Sequence, residues 1–291
     1  MKGAVLYGVL LLAHGGAPQW NADVEAIRKT VDAKVPAEAA LGMADDEAIQ
    51  GAIDRLEARG VQRIVAVPIF VNSASEVLDQ TRFLLGLRKD PSQTLRDALA
   101  NLPPEEHARM MKMEGHHRMF STQRVKHRVP LSMAPALDDS KTLAEILLAR
   151  AKALSKDPRS EAVVLVAHGP VDDKANDIWL ATLGRLAQRL RSKGGFAGAL
   201  VGTLRDDSVP DVKDKAIEEL RKKVSEEIAR KHRLLVVPVL IARGGIEDHV
   251  IQALTGLDYA WSGETICPDP RIAGWIEAEA AKTARDSARR K

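Results

Sequence analysis

The chain has almost no cysteine. Cys267 stands alone among 291 residues, so no intrachain disulfide can form and no thiolate set can hold zinc or an iron–sulfur cluster. That usage suits a reducing cytoplasm. Aromatic residues are scarce too, with four tryptophans, four phenylalanines and two tyrosines, or 3% in all. The cores must therefore be aliphatic, and the stacking platforms of single-strand nucleic-acid binders are missing. No run reaches the roughly 18–20 apolar residues of a membrane span, so no membrane partner is expected. Met1–Ala13 pairs a lysine with a short apolar run, as a secretory leader does, but the same run recurs at Ala162–Ala167 deep in the chain and is read as a strand. A Walker A loop and a GxGxxG turn are both absent. Lys and Arg outnumber Asp and Glu by only 43 to 40. That excess is too small to imply nucleic acid, although it suits an anionic small molecule.

What the chain does have is a repeated phrase. Val9–Gly16 reads VLLLAHGG and Val163–Pro170 reads VVLVAHGP. An unbroken aliphatic run predicts a strand buried on both faces, as in a parallel sheet. In each copy a histidine ends the strand, where open parallel sheets bind ligands. The echo continues in Val61–Val71 and His232–Ile241, each a second buried strand with a proline near its end. Pro68 follows His14 by 54 residues and Pro238 follows His168 by 70, room for helix, strand and helix. A repeat of this size predicts two domains of one α/β fold, each a mostly parallel sheet flanked by helices.

Helical spacing covers Trp20–Val35 and Asp46–Arg59, with Gly60 as C-cap. A strand is expected near Ala37–Leu41, and a helix through Val77, Thr81 and Leu84 with Ser73 or Ser75 as N-cap. Residues 87–128 break the pattern, with Pro91, Pro103-Pro104, a possible helix over Leu95–Leu102, and a cluster of Met110, Met111, Met113, His116 and His117. This segment reads as an excursion, so the expected domains are 1–125 and 129–291. The second half is predicted to hold a strand at Val129–Met133 and a helix from Asp138 or Asp139 to Leu154. Helices at Asn176–Leu190, Val212–Lys231 and near Asp248–Leu254 follow, with a strand at Phe196–Thr203. Ile272–Ala284 closes the chain as a helix before a frayed basic tail, Arg285–Lys291.

A strand-end histidine followed by glycine can face a cleft, because glycine lets the backbone turn sharply. Neutral imidazole is both a metal ligand and a base near neutral pH. A structural histidine bonded at a turn is the alternative, and the duplication favours function for at least one copy.

The paired motifs resemble the class II chelatases, the family of sirohydrochlorin cobaltochelatases and ferrochelatases. The match is carried by LLLAHGG (10–16), VPIFVNSASEV (67–77), MAPALDD (133–139), VVLVAHGPVDDKAND (163–177) and VVPVLIARGGIEDHV (236–250). LDYAW (257–261) and CPDPRIAGWIE (267–277) are similar to the long, two-domain members. The resemblance implies insertion of a divalent metal, Co²⁺ or Fe²⁺, into sirohydrochlorin or a related tetrapyrrole on the way to cobalamin or sirohaem. It implies no organic cofactor, a cytoplasmic setting, and a monomer or homodimer. Two pyrrole N–H protons must leave as metal enters, so a base is required. His14 matches the first motif histidine. The second is expected within Asn72–Glu76, where Ala74 stands instead.

On this reading His14 and Glu76 are catalytic. Gly15, Ser73, Ser75, Arg243 and Gly244 bind substrate, and His14, His168 and Glu247 hold metal. Plainer roles stay open for several of these residues. Glu76 and Glu247 can be helix-dipole partners, Ser73 and Ser75 caps, and Arg243 a solvated loop residue. The Met/His cluster can be metal capture or a loop of arbitrary composition. The missing histidine also leaves open a non-catalytic member that binds metal or tetrapyrrole.

Overall fold

The computed structural model describes residues 6–93, 96–97 and 123–289. The Met/His cluster and most of the helix expected over 95–102 lie outside the described residues. The first elements are β1 (Tyr7–Ala13), α1 (Pro18–Asp32), β2 (Ala37–Leu41), α2 (Asp46–Ala58), β3 (Arg63–Pro68), α3 (Glu76–Leu84) and β4 (Leu131–Met133). Next come α4 (Lys141–Leu154), β5 (Glu161–Ala167), α5 (Asp173–Gly194), β6 (Gly198–Thr203) and α6 (Pro210–Ala229). The last are β7 (Arg233–Val239), α7 (Ile246–Ala253), β8 (Ala260–Trp261) and α8 (Arg271–Arg289).

Two four-stranded sheets form, ordered β2-β1-β3-β4 and β6-β5-β7-β8, with every pairing parallel. The central strands are fully covered: Val9, Leu10 and Leu11 in β1, and all seven residues of β5, are buried. This is why their sequences run apolar without alternation. The α/β class and the repeated architecture are those the sequence predicts. In the first sheet one core face joins Leu10, Leu12 and Ile64 to Ile53 and Leu56 of α2 and Leu84 of α3. The matching face of the second joins Val164, Val166 and Val236 to Leu220 and Val224 of α6 and Val250 of α7.

The chain divides into a unit of residues 1–136 with 270–291, and a unit of residues 137–269. This differs from the division at 125 and 129. Strand β4 hydrogen-bonds to β3, and α8 packs on α1 and β3 through a buried stripe of Ile272, Trp275, Ile276 and Ala280. Both therefore belong to the first unit. Two smaller expectations also change. Ser140, not Asp138 or Asp139, caps α4, its Oγ accepting from Leu143 N at 3.1 Å, while the Asp139 carboxylate is taken by Arg185 and Arg189. The basic tail is helical through Arg289.

Candidate functional site

With strand order 2-1-3-4 the topological switch lies between β1 and β3, and the carboxyl ends of strands at such a point are where open parallel sheets bind ligands. Residues 14–17 after β1 and 69–75 after β3 flank the switch in the first unit. His14 follows the last residue of β1 and is partly buried. Its ring stacks on Trp20 of α1, with centroids 5.2 Å apart and planes at 29°, and Phe70 meets it edge-on at 6.3 Å. Thus the two loops touch through aromatic rings. Nδ1 lies 3.4 Å from Gly15 O, too long for a good hydrogen bond. Burial holds the imidazole below its ordinary range, outweighing the opposite effect of the Gly15 carbonyl. The ring is accordingly neutral at pH 7, its lone pair available to a metal or a proton.

The loop after β3 is fixed by its own polar groups. Asn72 is buried and its Oδ1 accepts from Ala74 N at 2.9 Å, an Asx turn. Ser73 Oγ accepts from Ala136 N at 2.9 Å, and Ser73 O accepts from Arg82 at 3.2 Å. Ser73 therefore tethers the loop rather than capping α3. Ser75 stands at the N-cap position without a side-chain capping bond, and Glu76 opens the helix. Gly15 packs beside Gly42 of the β2–α2 loop.

In the second unit His168 likewise follows β5, but a carboxylate meets its ring, with Nε2 3.4 Å from Asp207 Oδ2. The neighbouring Asp206, its side chain 6% exposed, pairs with both His249 and Lys213. Burial would raise the Asp206 pKa, but the Lys213 and His249 contacts prevail and hold it below the usual carboxylate range. Arg205, at φ +53°, has its guanidinium buried. It donates to Pro170 O at 3.1 Å, to Asp173 at 2.5 Å and to Val171 O. Glu247 Oε2 accepts from Gly244 N at 3.2 Å and Gly245 N at 3.0 Å, at the start of α7. Arg243 is exposed and donates to Gly263 O at 3.0 Å. Among the described residues no group of three or more His, Cys, Asp or Glu side chains is placed to hold a metal ion.

The first unit thus brings His14, Gly15 and residues 73–76 to one switch point, and the second brings His168 and residues 243–247 to the other. The comparisons with known proteins agree with this fold. The family model described as CbiX matches residues 8–154, half of the chain. The chain belongs to the CbiX family of class II chelatases. No curated protein matches the sequence. SirB from Bacillus subtilis with Fe3+ superimposes at a TM-score of 0.63 and 15% identity, covering 97% of each chain. The sirohydrochlorin chelatase SirB from Bacillus subtilis subspecies spizizenii, in complex with cobalt, gives 0.57 and 13% over 96% of each chain. DR2241 from Deinococcus radiodurans, a multi-domain protein with structural similarity to chelatases, gives 0.51 and 19%. That match spans 96% of this chain and 56% of that one. At these identities the likeness is one of fold. Among the described residues no helix of this CbiX-family chain is long and apolar enough to cross a membrane.

Sequence reasoning missed Trp20, Phe70, Arg205, Asp206 and Asp207. Trp20 sits six residues after His14 on a helix and reads as ordinary core. Arg205-Asp206-Asp207 reads as a charged loop, and only the sheet order brings it beside His168.

Proposed function

We propose that this CbiX-family chain inserts a divalent metal, Co²⁺ or Fe²⁺, into sirohydrochlorin or a related tetrapyrrole, with His14 as metal ligand and base. The observation that carries the reading is His14 at the switch point, kept neutral by burial against Trp20 and Phe70, with no carboxylate on its ring among the described residues. A neutral imidazole can hand a soft-to-borderline cation to pyrrole nitrogens or accept a proton from one of them. Insertion releases two protons, so a second acceptor is needed, and Glu76 at the start of α3 is our choice. Gly15, Ser73 and Ser75 form the backbone rim on which a macrocycle rests. In the second unit's own cleft Arg243 would offer N–H groups to the acetate or propionate carboxylates of a tetrapyrrole, and Gly244, whose N–H is donated to Glu247, would offer close backbone approach. His168 and Glu247 serve as subsidiary metal ligands, because Asp207 and the α7 amides already engage them.

A second reading is a binding member without turnover. The observation favouring it is Ala74, which can neither ligate nor accept a proton in the loop facing His14. Anaerobic absorbance of sirohydrochlorin with Co²⁺ or Fe²⁺ separates the two. Insertion by the natural chain above the uncatalysed rate supports the enzyme. Insertion only by the Ala74→His variant marks a disabled chelatase. Silence from both, with metal or tetrapyrrole still bound, leaves the binding reading standing.

A further inference from the structure

The two repeats hold their strand-end histidines differently. In the second unit Leu204 N donates to Ala167 O at 3.0 Å and Arg205 N donates to His168 O at 2.8 Å. The β6–α6 loop therefore follows β5 as far as the histidine, and Asp207 of that loop reaches the ring. In the first unit Gly42 N donates to Ala13 O at 2.9 Å, the counterpart of the first bond. The next carbonyl, His14 O, is taken instead by the indole Nε1 of Trp20 at 2.6 Å. The β2–α2 loop stops one residue short, and its acid, Asp45, accepts from Ala48 N at 2.9 Å as the cap of α2.

We propose that Trp20 is a positioning residue for His14: its indole N–H anchors the strand-end carbonyl, its face supports the imidazole, and the ring stays clear of the loop carboxylate that its repeat partner meets. Three observations agree. Trp20 is 3% exposed, so it cannot itself touch a macrocycle. A Cβ on Gly16 would lie 3.2 Å from Trp20 Cδ1 and 3.8 Å from His14 Nδ1, so the turn closes over the Nδ1 edge. Nε2 has no hydrogen-bond partner among the described residues, so it is the edge left for coordination. Trp20 thereby does with one side chain what the second unit does with a strained loop, and the substitution leaves the nitrogen free.

The idea rests on metal insertion by His14, so its test must succeed or fail apart from that reading. Histidine-labelled full-length protein is compared as natural chain, Trp20→Phe, Trp20→Leu and Val24→Ala. Val24 is a buried α1 residue outside the site, and all four are measured where circular dichroism shows them folded. Trp20→Leu should move the His14 ring-proton resonances downfield, since the shielding indole face is gone. It should also lower the Co²⁺ insertion rate constant by about tenfold or more, with the tetrapyrrole KM held within about twofold. Trp20→Phe, which keeps a face but loses the donor, should fall between. Val24→Ala should change neither reading. Unmoved His14 resonances in Trp20→Leu, or an equal activity loss in Val24→Ala, would overturn the proposal. If the natural chain inserts no metal yet the His14 resonances move and Co²⁺ affinity falls, the positioning role stands and the insertion reading alone is lost.

Discussion

The two histidine–glycine turns should respond unequally to the same methyl group. Gly169 lies at φ +81°, and a Cβ there would come within 2.7 Å of Thr203 Cβ. Thr203 cannot step aside easily, because it is 3% exposed and its Oγ1 donates to Asn176 Oδ1 at 2.8 Å. A left-handed non-glycine residue costs about 1–2 kcal/mol, and overpacking a tight contact adds about 1–3 kcal/mol. The smaller entropy of the unfolded alanine chain returns about 0.4–1 kcal/mol. Gly169→Ala should therefore destabilise the second unit by about 2–4 kcal/mol. Gly15 has no positive φ, and its Cβ would first meet Gly42 N at 3.7 Å, an ordinary contact. Gly15→Ala should stay within about 1 kcal/mol of the natural chain. Native-state hydrogen exchange resolves the units separately. The slowest amides of β5 and β7 should exchange about 30- to 1000-fold faster in Gly169→Ala, with β1 and β3 unchanged. Equal losses from the two variants would refute the asymmetry.

Three further outcomes are expected. His14→Ala should lower metal insertion by about 10²–10⁴-fold, and His168→Ala should lower it less; equal losses in the absorbance assay would mean two working clefts. Asp206, held below its ordinary 3.8, adds stability that is full above that value and lost as pH falls through the folded one. The gap in urea midpoint between the natural chain and Asp206→Asn should thus hold above about pH 4 and narrow as pH falls further. Glu247→Ala should cost about 0.5–2 kcal/mol through the two amides it leaves at the start of α7. Circular dichroism melts measure that cost, and retention of Co²⁺ affinity in the variant would reduce Glu247 to a cap.

Much of this fold could be read directly because the central strands are covered on both faces, so VLLLA and AVVLVA carry no competing signal. Strand β2, AEAAL, is weak in sequence because it is an edge strand with only Ala37 and Ala40 buried. Helix α8 was visible as a helix, yet its amphipathic stripe does not say which sheet receives it. His14 and His168 look alike in sequence, and their difference lies in partners that only the folded chain brings near. Trp20 Nε1 reaches back six residues to a carbonyl, a bond that no residue type announces. Asp207 comes from the loop that follows β6, the strand that the topology places beside β5. The Ser140 cap lost out to two neighbouring aspartates of equal capping propensity.

The return of α8 to the first sheet has a consequence for synthesis. The whole of residues 137–269 must be made before the helix that covers α1 and β3 exists. A growing chain therefore carries a first sheet with one face still uncovered while the second unit, whose elements are contiguous, can already close on itself. The apolar surface awaiting Ile272, Trp275 and Ile276 is a hazard for nascent-chain aggregation over that interval. Chaperone demand should follow the time spent translating the inserted unit, more than the stability of either unit once complete.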